Sequence, residues 1–82
     1  DASAGAVLVK VARLDGTAIL YAPALGPDGA RLWLNLERQG VGPAEPDVDA
    51  YIARRVKSDP DLWVVEVEDR QGRHFLTEPV ES

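Results

Sequence analysis

At 82 residues the chain is long enough for one domain and too short for two, and an apolar fraction of 45% with 28% charged residues excludes a disordered polymer. The lack of cysteine excludes a disulfide framework and a thiolate metal site, and no apolar run approaches the ~20 residues of a membrane-spanning helix. The net charge of −5 lies wholly in the second half: residues 1 to 44 hold four acids and four bases, residues 45 to 82 ten acids and five bases. Such a surface repels nucleic acid and anionic lipid, so the expected partners are proteins, or the chain itself, with neither nucleic acid nor membrane among them. The start lacks the basic-then-apolar pattern of a signal peptide, and a cysteine-free acidic chain is expected in the cytoplasm.

Val7 to Leu14 is rich in β-branched residues, with Val7, Val9 and Val11 alternating on one face. Asp15-Gly16 then turns the chain into Thr17 to Ala22, giving a first hairpin, 7–14/17–22. With Gly16 in the left-handed position of a three-residue loop, Val11 pairs with Ile19 and Val9 with Tyr21; a two-residue loop would set Val11 against Leu20. Pro23 to Ala30 reads as a loop around Pro27-Asp28-Gly29. Strand 31–36 follows, with Leu32, Leu34 and Leu36 on one face and Arg31, Trp33 and Asn35 on the other.

Pro46 suits the first turn of a helix spanning 46–58, whose stripe is Val48, Tyr51, Ile52 and Val56. Glu45, Asp47 and Asp49 crowd its N-terminal end and Arg54, Arg55 and Lys57 its C-terminal end, each sign opposing the helix dipole, and Pro60 stops it. Leu62 to Asp69 is the strongest strand pattern, with Trp63, Val65 and Val67 on one face and Val64, Glu66 and Glu68 on the other. The turn Arg70-Gln71-Gly72 returns it as a second hairpin, 62–69/73–77, which pairs Val67 with Phe75, Asp69 with Arg73 and Glu68 with His74. The reading is an α+β domain: a small antiparallel sheet of about five strands with one helix on one face.

His74 is the sole histidine and, opposite Glu68, would form half of a catalytic set, yet neither a nucleophile nor a third ligand accompanies it. A cross-strand pair of opposite charge explains the same two residues. A Ser58-His74-Asp69 triad is conceivable, but no Gly-x-Ser-x-Gly turn presents the serine. Asp59, Asp61, Glu66, Glu68 and Asp69 lack the Asp-x-Asp-x-Asp-Gly loop that gathers oxygens on a hard cation, so no metal or other cofactor is expected. Arg54 and Arg55 could grip a phosphate, though complementing the dipole is the simpler cause.

Trp33 shares its face with Arg31 and Asn35, away from the leucine row. Together with Leu8, Leu20, Val64 and Leu76, the pair Arg31 and Trp33 marks the interaction surface expected from the sequence. The helix is too narrow to cover one sheet face, and the opposite face would be bare. The principal expectation is therefore a non-enzymatic protein-interaction or self-associating module. The alternative is a small-molecule-binding or catalytic domain using His74 and Glu68, with Arg54 and Arg55 beside them.

The runs Gly5-Ala6-Val7-Leu8-Val9-Lys10, Leu20-Tyr21-Ala22-Pro23 and Tyr51-Ile52-Ala53-Arg54-Arg55 carry a resemblance that spans nearly the whole chain. So, above all, does Asp59-Pro60-Asp61-Leu62-Trp63-Val64-Val65-Glu66-Val67-Glu68-Asp69-Arg70 with Gly72-Arg73-His74-Phe75-Leu76. The sequence resembles an uncharacterised family of short bacterial proteins, the domain of unknown function numbered fourteen ninety-one. That resemblance implies a further segment ahead of the Gly-Ala-Val-Leu-Val run, so residues 1–82 would form a single domain lacking an N-terminal part of the full-length protein. It implies no catalytic or binding residue.

Overall fold

The computed structural model describes residues 7–77 and 79–81. In chain order these form β1 (Val7–Ala12), β2 (Ala18–Leu25), β3 (Arg31–Asn35), a 3-10 turn (Leu36–Gln39), helix α1 (Glu45–Ser58), β4 (Trp63–Glu68) and the two-residue β5 (Val80–Glu81). The sheet order is β4-β1-β2-β3-β5. The α+β class holds, with four full strands and a short fifth. The sheet is mixed rather than antiparallel, because β1 runs parallel to β4 and β3 parallel to β5.

The first hairpin has the register of the three-residue loop. Val9 lies opposite Tyr21 and Val11 opposite Ile19, and Arg13 N donates to Thr17 O across the turn (3.0 Å). Gly16 is left-handed (φ 92), as is Leu14 (φ 66), while the Asp15 carboxylate accepts from Thr17 N and Thr17 Oγ1. Contrary to the sequence reading, Pro23 does not end β2, which continues to Leu25. Pro23 lies opposite Trp33 of β3, and the Arg13–Thr17 bond shows that odd-numbered β2 residues turn their backbone groups toward β1. The missing N–H of Pro23 therefore takes no bond from the β3 ladder.

Both faces of the central strands β1 and β2 are covered, in an arrangement that differs from the sequence expectation. The helix packs on the face carrying Leu8, Ala18, Leu20, Leu36 and its own Val48, with Leu34, Tyr51 and Ile52 around them. Leu8 and Leu20, expected on an interaction surface, are 1% and 0% exposed beneath α1. Ala22 pairs with Leu34, which puts the β3 leucines on this face and not with Val9 and Val11. The other face holds Val9, Val11, Ile19 and Tyr21, packed by Trp33, Val67, Leu76 and Val80.

The second hairpin does not form. Residues 73–77 are not a strand, and β4 pairs instead with β1, Val7 to Trp63 through Ala12 to Glu68. The turn itself is real, with Gly72 left-handed (φ 76), but it closes on a side chain. The Asp69 carboxylate accepts from Gln71 N (3.1 Å) and Arg73 N (2.9 Å) and grips the Arg73 guanidinium (2.8 Å). Once Asp69 has taken these amides, the segment is steered away from β4 and across the second face to β5.

Two backbone hydrogen bonds fix the start of α1 against the first hairpin. Glu45 N donates to Gly16 O and Ala18 N donates to Pro43 O, which together make the bridge between Thr17 and Ala44. Gly42 (φ 92) permits this approach, since a Cβ there would lie 3.0 Å from Val48 Cγ2 and 3.3 Å from Ala18 O. The N-terminal end of the helix is thereby held above the middle of β1, where Lys10 stands.

Candidate functional site

Lys10 alternates with Leu8 along β1 and so points under the helix, where only 6% of the residue is exposed. Burying an ammonium is costly unless it is paired. Its Nζ lies 2.7 Å from Asp49 Oδ1, to which it donates, 2.7 Å from Glu45 Oε2 and 3.8 Å from Glu66 Oε2. Glu45 and Asp49 stand one helical turn apart on α1, and Glu66 is the register partner of Lys10 on β4. Burial alone would lower the Lys10 pKa. The hydrogen bonds to Asp49 and Glu45 and the charges of Asp49 and Glu66 outweigh it, and the pKa is raised to about 12. An ammonium held this firmly is neither a nucleophile nor a base near neutral pH. The cluster ties β1 to α1 and to β4. Sequence reasoning missed it; its one signal is the Glu45/Asp49 spacing, which the helix dipole explains equally well.

The residues expected to form a polar site are not brought together. His74 Nδ1 accepts from Leu76 N (2.9 Å), and its ring meets Tyr21 edge-on at 5.3 Å over the second face. Glu68, opposite Ala12, points to the helix side of the sheet. The predicted Glu68–His74 pair is therefore absent, because it depended on a hairpin that Asp69 prevents. The Asp69 carboxylate is taken by Arg73, which together with the turn amides holds its pKa down at about 2, so it is not directed to His74 or Ser58. Arg55 donates to Tyr51 Oη (3.0 Å), and Arg54 lies over the same ring and lines a shallow hollow with Asp47. A carboxylate in that hollow opposes anion binding. Among the described residues no group of three or more His, Cys, Asp or Glu is placed to hold a metal ion.

The expected interaction surface is also redistributed. Trp33 is half-buried in the second cluster, with its N donating to Pro79 O, and Leu76 packs into the same cluster. Arg31 is exposed at the start of β3. Val64, 37% exposed, has new neighbours: Trp63 (68%) and Val65 (46%) are exposed beside it on β4. These residues form an edge strand. Asp69 N donates to Ala12 O, and alternate residues of a parallel strand bond the same neighbour. Val65 and Val67 thus turn their amides to β1, and the backbone groups of Val64, Glu66 and Glu68 point outward, where no strand lies among the described residues.

The family model of DUF1491, a protein family of unknown function, matches residues 1–77. The chain belongs to the DUF1491 family. It is similar to the crystal structure of a DUF1491 family protein from Caulobacter crescentus CB15, at 58% identity and a TM-score of 0.81, covering 95% of this chain and 71% of that one. It is likewise similar to an NMR structure of a DUF1491 family protein from the same organism, at 59% identity and a TM-score of 0.76, covering 100% of this chain and 73% of that one. No curated protein matches the chain. DUF1491 membership fixes the fold and carries no activity, so function has to be argued from the surface. No helix among the described residues is long and apolar enough to cross a membrane.

Proposed function

We propose that this DUF1491 chain is a non-enzymatic docking module that accepts an extended protein segment along the outer edge of β4. The observation that carries the reading is the conjunction of outward-pointing backbone groups at Val64, Glu66 and Glu68 with exposed Trp63, Val64 and Val65 on either side of them. An open edge offers main-chain hydrogen bonds, and flanking apolar side chains give an added strand something to pack on. Large apolar side chains clustered on a small acidic protein mark an interface more often than chance exposure. A net charge of −5 favours a protein partner over nucleic acid or an anionic membrane surface, and the cysteine-free chain suits a reducing cytoplasm.

Val64→Pro tests this by deleting one outward N–H while leaving the bonds to β1 in place. Tagged wild-type protein, the Val64→Pro variant and a Trp63→Ser variant are expressed in the native cell and their bound proteins compared by quantitative mass spectrometry. The reading expects the same species, the untagged chain included, to be lost from both variants while each keeps its circular dichroism spectrum. Unchanged binding in both refutes it.

A further inference from the structure

We infer that the segment taken up along the β4 edge is basic: an extended chain carrying Arg or Lys at alternate positions, set over Glu66 and Glu68, with apolar residues between them, set over the row that begins with Trp63 and Val65. The inference rests on the docking reading above and names the chemistry of the partner.

The two faces of the edge differ in kind. Val64, Glu66 and Glu68 lie opposite Leu8, Lys10 and Ala12 and face the helix side, whereas Trp63, Val65 and Val67 lie opposite Val7, Val9 and Val11 and face the other side. The residues of an added strand alternate between the same two faces whichever way it runs. Those opposite Glu66 and Glu68 are therefore two apart in the partner sequence and meet carboxylates, while the intervening residues meet the apolar row. Opposite charges directly across a ladder favour pairing and like charges oppose it.

The carboxylates are available to a partner. Those of Glu68 and Asp61 make no hydrogen bond or ion pair among the described residues, and the Glu66 side chain is half exposed, 3.8 Å from Lys10. Lys10 does not neutralise the surface beside the edge, since one ammonium faces three carboxylates, those of Glu45, Asp49 and Glu66. Asp69, by contrast, is held by Arg73. The bases nearest along the chain, Lys57 and Arg70, lie beyond the two ends of β4.

At the start of the strand an open hollow of about 340 Å³ is lined by Pro60, Asp61, Leu62 and Trp63. The Trp63 indole, 68% exposed, and the Asp61 carboxylate together suit an ammonium or guanidinium, which is attracted by an aromatic face and by a carboxylate alike. An acidic or purely apolar segment leaves this corner and both glutamates without a counterpart. Each cross-strand charge pair is worth about 1.5- to 5-fold in affinity, so two pairs made rather than opposed separate a basic segment from an acidic one by roughly tenfold or more.

The test titrates the full chain, labelled with nitrogen-15, with two decapeptides at low salt: one of alternating lysine and valine, and its twin with glutamate in place of lysine. The lysine peptide is expected to shift the amides of Val64, Glu66 and Glu68 and the indole N–H of Trp63, binding roughly tenfold or more tightly than its twin. Glu68→Lys should weaken the lysine peptide about fivefold and tighten the glutamate peptide, and Asp61→Asn should weaken the lysine peptide alone. Equal affinity for the two peptides at these amides overturns the basic preference and leaves the docking edge standing. The same follows if excess lysine peptide fails to displace the proteins that Val64→Pro loses, or if the untagged chain is the one species lost, in which case the occupant is a second copy. A lysine peptide that leaves the outward amides unmoved at millimolar concentration also overturns the inference, and if Val64→Pro in addition loses nothing, the docking reading falls with it.

Discussion

Replacing Lys10 by methionine keeps the apolar stem and removes the ammonium that Glu45, Asp49 and Glu66 surround. The displacement of its pKa from 10.5 to about 12 measures how much more the folded chain favours the charged lysine than the unfolded chain does. At 1.36 kcal/mol per pKa unit this is about 2 kcal/mol. Lys10→Met should therefore destabilise the protein by about 2 kcal/mol at pH 7, lowering the unfolding temperature by roughly 8–16 °C for a domain of this size. The pH dependence has a definite sign. A pKa raised on folding gives stability that is fully present below 10.5 and lost as pH rises through about 12. Urea titrations of wild type and variant, followed by tryptophan fluorescence, should give a stability gap that is constant from pH 6 to 10 and shrinks above 10.5. Equal stability at pH 7 would refute the reasoning. It would mean that desolvating the ammonium costs as much as its three partners return, as happens at some buried ion pairs.

Gly42→Ala and Gly16→Ala share a positive φ and differ in surroundings: a Cβ at Gly42 meets Val48 and the Ala18 carbonyl, whereas at Gly16 nothing lies within 4 Å. Gly16→Ala should cost about 1 kcal/mol and Gly42→Ala about 2–3 kcal/mol by thermal denaturation, and equal costs would remove the close-approach argument. The Asp69 carboxyl, held down by Arg73 and the turn amides, should titrate by NMR at about 2 against an ordinary 3.8. Its contribution relative to Asp69→Asn is present above 3.8 and lost as pH falls through 2; an ordinary titration would show that the Arg73 contact does not persist in solution. The long loop between β1 and β4 predicts that β4 joins the sheet late, so Val65→Ala should speed unfolding and leave the folding rate unchanged; a slowed folding limb in stopped-flow measurements contradicts that order.

What could be read in the sequence was local. The Asp15-Gly16 turn and the alternation of Val9, Val11, Ile19 and Tyr21 predict the first hairpin and narrow its register to two, of which the structure has the one with the three-residue loop. Pro46 and Pro60 bracket a helix observed one residue earlier than expected, at Glu45–Ser58. Choices between distant alternatives were not legible. Leu8 and Val9 are equally apolar, so alternation alone does not say which face the helix takes. Arg70-Gln71-Gly72 does turn the chain, but whether the next segment pairs or departs depends on where one carboxylate, Asp69, directs its acceptors. Lys10 resembles any solvent-facing base in an alternating strand until the helix brings Glu45 and Asp49 above it. The candidate site was legible only in part: Val64 was anticipated, whereas Trp63 and Val65 were assigned to a covered face, because the partner of β4 is more than fifty residues away in the chain.

That separation also governs how the chain reaches its fold. β1 meets β2 across a three-residue loop, but Val7 must find Trp63, and closing so long a loop costs about 2.5 kcal/mol more than closing the hairpin. Until β4 arrives, β1 has one bonded edge and one bare edge of Val-Leu-Val-Lys-Val-Ala, a composition prone to aggregation. Lys10 is the single charge in that run, and before its carboxylate partners dock it stands unneutralised in the middle of the strand. In the nascent chain it is expected to act as a gatekeeper against intermolecular strand addition, and only afterwards as the clamp between layers. Lys10→Met removes both roles, so its refolding yield, followed by light scattering at high protein concentration, should fall further than its equilibrium loss of stability accounts for.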